Sequence, residues 1–180
     1  MEEKVIKTKF IVASEEGIDL YRHLAIKCAR QKYAGVAAAA DLDSYVSTAF
    51  GRELVVTELN TFSNQLIVVY VGDEPAGYAF LKGSILAPEP LRDKRNICIA
   101  AFEITDEYLA GNSKIVLLEK CLNVCKSYDA IWMGISGDQL QMEKIFADYA
   151  FDKLGEEFVT INRFEAAAAI FVRLNEPLKK

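Results

Sequence analysis

Three consecutive stretches decide the fold: "NICIAAFEI" (Asn96–Ile104), "EYLAGNSKIVLLEKCL" (Glu107–Leu122) and "DAIWMG" (Asp129–Gly134). The first is a β-branched and apolar run that reads as a buried strand. Its middle, Ala100-Ala101, is small enough for another backbone or a thin ligand to lie close. The second begins as a polar, Gly-containing turn and runs into a helix over Lys114–Lys126, with Ile115, Leu118, Leu122 and Cys125 as its apolar stripe. The third is a short strand carrying the only Trp of the chain, Trp132. A strand, a helix and a strand in this order form a crossover, so the two strands are expected to be adjacent and parallel.

Lys7–Ala13 reads as an opening strand. Asp19–Arg30 reads as a helix, with Leu20, Leu24 and Cys28 on one face and His23, Lys27 and Arg30 on the other. This places His23 in solvent. Asp41–Phe50 reads as a helix capped by Asp41, and Leu42, Tyr45, Val46, Ala49 and Phe50 keep helical spacing. Gly51 marks a break, and Arg52–Asn60 continues as a short helix. "QLIVVYV" (Gln65–Val71) and Ala76–Lys82 flank the turn Gly72-Asp73-Glu74-Pro75 and read as a hairpin. Gly83–Asn96 reads as an exposed loop. Gln139–Ala150 is a helix with Met142, Ile145, Phe146 and Tyr149 on one face. Glu157–Ile161 and Ile170–Leu174 close the chain as strands. The tract Ala166–Ala169 favours helix by propensity yet precedes a β-rich run. The order β-α-α-β-β-β-α-β-α-β-β is not a regular βαβ repeat. It predicts an α/β (α+β) fold, a mixed, largely antiparallel sheet with helices on both faces, in one domain over residues 1–180.

The chain has 180 residues, a net charge of -5, 52% hydrophobic and 26% charged residues. Nucleic-acid binding needs clustered Lys and Arg, which this balance disfavours. No apolar run approaches the roughly 20 residues that span a bilayer. The opening Met-Glu-Glu-Lys lacks the order of a signal peptide, so the expected setting is cytoplasmic. Cys28, Cys98, Cys121 and Cys125 form no CxxC pair, and with one histidine no metal site is expected. The cysteines read as reduced, buried small hydrophobes.

The element order, together with Phe102–Leu122, resembles the GNAT superfamily of N-acetyltransferases. In that family a strand leads through a short turn to R/Q-x-x-G-x-G/A and then to a Leu-rich helix. A gapless match puts Leu109, Asn112 and Lys114 on the three motif positions. A shift of one residue puts Tyr108, Gly111 and Ser113 there instead, recovering one Gly and one small residue but breaking the fit to the helix, so the gapless register is preferred. "IWMGISGDQLQMEKIFADYAFDKLG" is similar to the family's last strand and helix, with Ala150-Phe151 in place of Gly-Phe. Tyr33-Ala34-Gly35 and the Leu42/Tyr45 helix also resemble its N-terminal region.

The resemblance implies acetyl-CoA as acyl donor and an unidentified amine, small-molecule or protein, as acceptor; it leaves a homodimer open. It implies that the two parallel strands splay at their C-terminal ends, with pantetheine paired to the edge of strand 97–104 and the pyrophosphate on the following turn. The cofactor-binding residues would be Phe102, Ile104, Leu109, Ala110, Gly111, Asn112, Ser113, Lys114 and Phe146. A helix N-terminus binds phosphate through backbone N–H groups, so the turn needs shape more than particular side chains. Asn112 is expected to supply that shape from the left-handed region. Lys114 either blocks the phosphate or pairs with it. A backbone N–H near Ile104 would polarise the thioester carbonyl. Glu103 is the candidate catalytic base, with Asp106 beside it; the bland alternative for Glu103 is an exposed strand charge. Many members use a Tyr as acid for the leaving thiolate, where this chain has Phe146. The acceptor would lie near Gln31–Gly35 and Ile161–Glu165. Three readings follow: an acyl-CoA-dependent N-acetyltransferase, a catalytically impaired GNAT-fold protein acting as a binding or regulatory module, or a plain interaction protein that is only similar in pattern.

Overall fold

The computed structural model describes residues 4–136, 140–161 and 164–175, with the backbone alone at 136, 140–141, 156–161 and 164–168. The elements are β1 (Ile6–Ile11), α1 (Glu15–Lys32), α2 (Ala39–Ala49), α3 (Arg52–Asn60), β2 (Asn64–Val71), β3 (Glu74–Lys82), β4 (Asn96–Ile104), α4 (Ser113–Val124), β5 (Ala130–Ser136), α5 (Leu140–Asp148), β6 (Asp152–Ile161) and β7 (Phe164–Leu174). The strands form one sheet in the order β1-β2-β3-β4-β5-β7-β6. Every neighbouring pair is antiparallel except β4 and β5. Both the expected fold class and the parallel crossover are therefore present.

The sheet is covered on both faces, which explains the unbroken apolar run of β2. Leu66 and Val68 pack under α1, α2 and α3, while Ile67 and Val69 pack on the opposite face with Leu117, Leu118 and Cys121 of α4. Among the described residues no helix is long and apolar enough to cross a membrane. The four cysteines are free and buried. Burial raises the thiols of Cys28, Cys98 and Cys125 to about 12, and that of Cys121 higher still.

Several boundaries and faces differ from the sequence reading. Helix α1 starts earlier because Ser14 caps it, its Oγ accepting from the Gly17 N–H at 3.1 Å. Its buried face is Gly17, Ile18, Tyr21, Leu24, Ala25, Cys28 and Ala29, so Leu20 sits at the edge and Tyr21 takes the centre. Asp41 is not a cap: α2 begins at Ala39 behind Ala38, and Asp41 lies in its first turn, where its charge suits the helix dipole. The tract Ala166–Ala169 runs within β7, paired to β6 on one side and, through Ala168 and Ala169, to β5 on the other. Ladder pairing on two sides overrides a modest helix propensity.

Helix α5 ends with Ala150 at φ 60°. The Ala150 N–H donates to Ala147 C=O at 3.0 Å and the Phe151 N–H to Phe146 C=O at 2.9 Å. These two bonds form a Schellman closure, and the Phe151 and Phe146 rings complete it at 5.6 Å between centroids. The position usually belongs to Gly, because a Cβ is strained in the left-handed region.

Candidate active site

The parallel pairing of β4 and β5 stops early. It joins Asn96–Ile99 to Ala130–Met133 and goes no further. Strand β4 continues to Ile104 bonded to β3, and β5 continues to Ser136 bonded to β7. The two strands thus diverge and leave a gap bordered by Phe102 on one side and Gly134 and Ile135 on the other.

A β-bulge sets what faces this gap. Phe80 lies opposite Ala101 and Leu81 opposite Ile99, so Ala100 is the extra residue. The bulge switches the alternation of β4. Ile97 and Ile99 before it, and Phe102 and Ile104 after it, all face α4. Glu103 is thereby turned to the α1 face. The Thr105 N–H donates to Ala76 C=O at 2.9 Å. Backbone donors alternate along an antiparallel strand, so the N–H groups of Glu103 and Thr105 point to β3, while those of Phe102 and Ile104 point away from it, into the gap. Close approach of β3 at this level requires Gly77: a Cβ there would lie 2.4 Å from Glu103 C=O.

Beyond Ile104 the chain makes a short 3-10 turn, Asp106–Tyr108, and enters α4. Asn112 caps the helix at φ -83° and ψ 0°, so the expected left-handed Asn is not found; no residue from Leu109 to Lys114 has a positive φ. The shape comes instead from Ser113, whose buried Oγ donates to Tyr108 C=O at 3.0 Å. Lys114 folds back, its Nζ donating to Leu109 C=O at 2.8 Å. The N–H groups of Asn112, Ser113, Lys114 and Ile115 have no backbone acceptor; the first such bond at the helix start is Val116 N–H to Asn112 C=O. The turn is also tied to α1: Lys27 pairs with Glu107 at 2.7 Å, and Gln31 Oε1 accepts from the Asp106 N–H at 3.2 Å.

On the α1 side of β4 lies a chamber that is continuous with the gap, the two together enclosing about 600 Å³. Its charged lining residues are Lys32, Glu58, Lys82 and Glu103. Glu103 is not an exposed strand charge: Lys32 Nζ meets its Oε1 at 2.7 Å, and both side chains are about four-fifths buried. Burial opposes the charge on Lys32, but the Glu103 carboxylate outweighs it and raises the ammonium pKa above its usual value. Lys82 and Glu58 form a second ion pair. Between the pairs stand the rings of Tyr33, Tyr45, Phe50, Tyr21, Tyr78 and Phe80, linked edge to face.

Phe146 is fully buried and packs against Phe102 at 6.1 Å, Phe151 at 5.6 Å and Phe171 at 5.7 Å. It borders the inner end of the cavity as a core aromatic and brings no proton there. Tyr149 is no substitute, since its hydroxyl donates to Glu119 at 2.8 Å outside the cavity. His23 is exposed on α1, away from the chamber.

The structure thus gathers Phe102, Glu103 and Phe146 around the gap and chamber, keeps the Ile104 side chain in the core at the end of β4, and sets Leu109–Lys114 on the turn that follows. Of the expected acceptor segments, Lys32 and Tyr33 line the chamber. Asn162 and Arg163 and the side chains of Ile161, Phe164 and Glu165 lie outside the described residues. Sequence reasoning missed Tyr21, Glu58, Tyr78 and Lys82, and placed Lys32 in an acceptor segment without giving it a partner. A signal was available for one wall: Tyr21, Ala25, Ala29 and Lys32 recur at i, i+4, i+8 and i+11.

No family model matches the sequence, and no curated protein matches it. Solved structures do match over nearly the whole chain. PaiA N-acetyltransferase from Thermoplasma acidophilum, in complex with coenzyme A, is 12% identical with a TM-score of 0.71, covering 94% of this chain and 99% of that one. A probable acetyltransferase from Staphylococcus epidermidis is 11% identical with a TM-score of 0.70, covering 96% and 100%. NAA60 from Arabidopsis thaliana, in complex with a bisubstrate analogue, is 9% identical with a TM-score of 0.68, covering 96% and 99%. The fold is that of the GNAT N-acetyltransferases.

Proposed function

We propose that the chain is an acyl-CoA-dependent N-acetyltransferase acting on a small-molecule or protein amine, with acetyl-CoA as donor. The observation that carries this reading is the gap between β4 and β5, with the Phe102 and Ile104 N–H groups opening into it. Similarity of fold to proteins solved with coenzyme A or a bisubstrate analogue supports the same assignment.

In this reading the pantetheine arm pairs with the free edge of β4, taking the place β5 vacates. The unpaired N–H groups at the start of α4 receive the pyrophosphate, aided by the helix dipole. The motif register that fits is Tyr108, Gly111 and Ser113, because Ser113 is the small residue enclosed at the helix start. Lys114 adds a positive charge over the turn. The Phe102 or Ile104 N–H stabilises the oxyanion that forms as the amine attacks the thioester carbonyl. Glu103 stands between these two residues with its side chain in the chamber, and accepts the ammonium proton directly or through water. The sulfur leaves as thiolate without an acid; a free thiol with a pKa of about 8.5 is a tolerable leaving group.

The second reading, a binding or regulatory module, is favoured by two observations: Glu103 is engaged by Lys32, and Phe146 offers no proton. Calorimetric titration with acetyl-CoA, followed by thiol release in the presence of an amine panel, separates the two. Binding with amine-dependent thiol release is the expected result. Binding without release would leave the module, and no binding would remove both.

A further inference from the structure

The chamber beside Glu103 also constrains what kind of amine enters it. Chamber and gap together enclose about 600 Å³, within the usual range for a small-ligand site. The chamber walls are six aromatic rings in a connected series, from Tyr33 through Tyr45, Phe50 and Tyr21 to Tyr78 and Phe80. Its two carboxylates are each matched to one ammonium, Glu103 to Lys32 and Glu58 to Lys82. Tyr78, opposite Glu103, and Lys82 are four residues apart on β3, about 13 Å along the strand, so the two pairs are anchored at different levels of it. No carboxylate lining the chamber is left to hold a second cation.

The rings already receive ammonium groups. Lys82 Nζ lies 4.7 Å from the centroid of Phe80, and Lys32 Nζ 5.9 Å from that of Tyr33. A further feature points to a ligand. Tyr21 and Tyr78 are 4% and 3% exposed, and among the described residues neither hydroxyl bonds to another side chain or to the backbone, nor is either one sealed from solvent. Both line the chamber, so their hydroxyls are accessible through it. Both hydroxyls can therefore bond a polar group that enters the chamber.

We infer that the acceptor is a small monoamine carrying an aromatic body, an arylalkylamine, held among Tyr21, Tyr45, Phe50, Tyr78 and Phe80 with its amine toward Glu103. Polar ring substituents bond to the Tyr21 and Tyr78 hydroxyls. Ring burial and ammonium–π attraction supply the affinity. Diamines and polyamines are poorer ligands, because they bring no ring to bury and carry their second charge past aromatic walls, with no unpaired carboxylate among the lining residues to receive it. The inference deepens the proposed transferase reading, but ligand binding in the chamber is measurable without acetyl-CoA.

The test is calorimetric titration of the intact protein with three probes: 2-phenylethylamine, tyramine and 1,4-diaminobutane. The expected order is tyramine, then 2-phenylethylamine, then 1,4-diaminobutane, with about tenfold or more between the last two, the scale set by burying one aromatic ring. Tyr45→Ala weakens both aromatic amines. Tyr21→Phe and Tyr78→Phe keep the ring packing; 2-phenylethylamine binding persists in both, and the preference for tyramine is lost in at least one. Diaminobutane binding as tightly as 2-phenylethylamine would overturn the inference. So would aromatic amines that bind equally well to Tyr45→Ala and the wild type, or that bind to none of the proteins. A separate titration with acetyl-CoA decides the transferase reading, so the two failures are distinguishable.

Discussion

Lys32 Nζ lies 2.7 Å from Glu103 Oε1, joining the last turn of α1 to β4 at the level where β5 departs. The pair fixes the wall of the chamber and occupies the carboxylate proposed as base. Lys32→Ala leaves Glu103 partly buried without its partner and should destabilise the fold by about 1–3 kcal/mol. Because Glu103 raises the Lys32 pKa, the contribution of that shift is complete below the unfolded value of about 10.4 and is lost only as pH rises through the folded value. Urea unfolding of the wild type and Lys32→Ala should thus differ by a constant amount from pH 6 to 9. In the transferase reading, Glu103→Gln lowers kcat/KM about 100-fold while leaving acetyl-CoA affinity unchanged. A parallel loss of acetyl-CoA binding would make Glu103 structural.

Ala150 carries the left-handed conformation that closes α5. Ala150→Gly removes the Cβ strain there and should stabilise the protein by about 1 kcal/mol. The check is the urea midpoint at unchanged slope. A destabilised variant would mean that the closure is not strained as described.

Glu107 is held at about 2 by its bond to Lys27, with help from backbone and Gln31 donors. The sign follows from linkage: a depressed carboxyl stabilises the fold above its unfolded value of about 4.3, and the effect fades as pH falls toward the folded value. The melting temperature of Glu107→Gln should therefore lie below that of the wild type at pH 6 and converge with it near pH 2. Because the pair is exposed, the gap should shrink in high salt. A difference that grows on acidification would contradict the assignment.

Lys114 spans the turn to the Leu109 carbonyl. Lys114→Ala should weaken coenzyme A binding by about tenfold or less and flatten its dependence on salt, as expected when one exposed cation near a phosphate is lost. Helix stability should not suffer, since Ala is the best helix former. Tighter binding by the variant would show that the side chain occludes the turn.

The sheet and its crossover were legible because β2, β4 and β5 are buried on both faces and read as apolar runs, with a periodic helix between the last two. The gap itself was not legible from residues alone. It depends on where β4–β5 pairing ends and on one bulge at Ala100, and hydrophobic periodicity records neither. The turn before α4 was located correctly along the chain, but its shape was not, because Ser113 does locally what left-handed Asn112 was expected to do. The chamber was hidden for a different reason. Lys32, Glu58, Lys82 and Glu103 come from three separate elements besides the helix α1, and each reads alone as a solvated charge. Only the register of β3 on β4 and the packing of α1 and α3 pair them.

The central claim is that a ligand strand of pantetheine replaces β5 along the edge of β4. Amide hydrogen exchange with and without acetyl-CoA tests it most directly. The account predicts slowed exchange at Phe102 and Ile104 and at Asn112–Ile115, with Glu103 and Thr105 unchanged because their N–H groups already point to β3. Acetyl-CoA that binds while Phe102 and Ile104 exchange as before would contradict it.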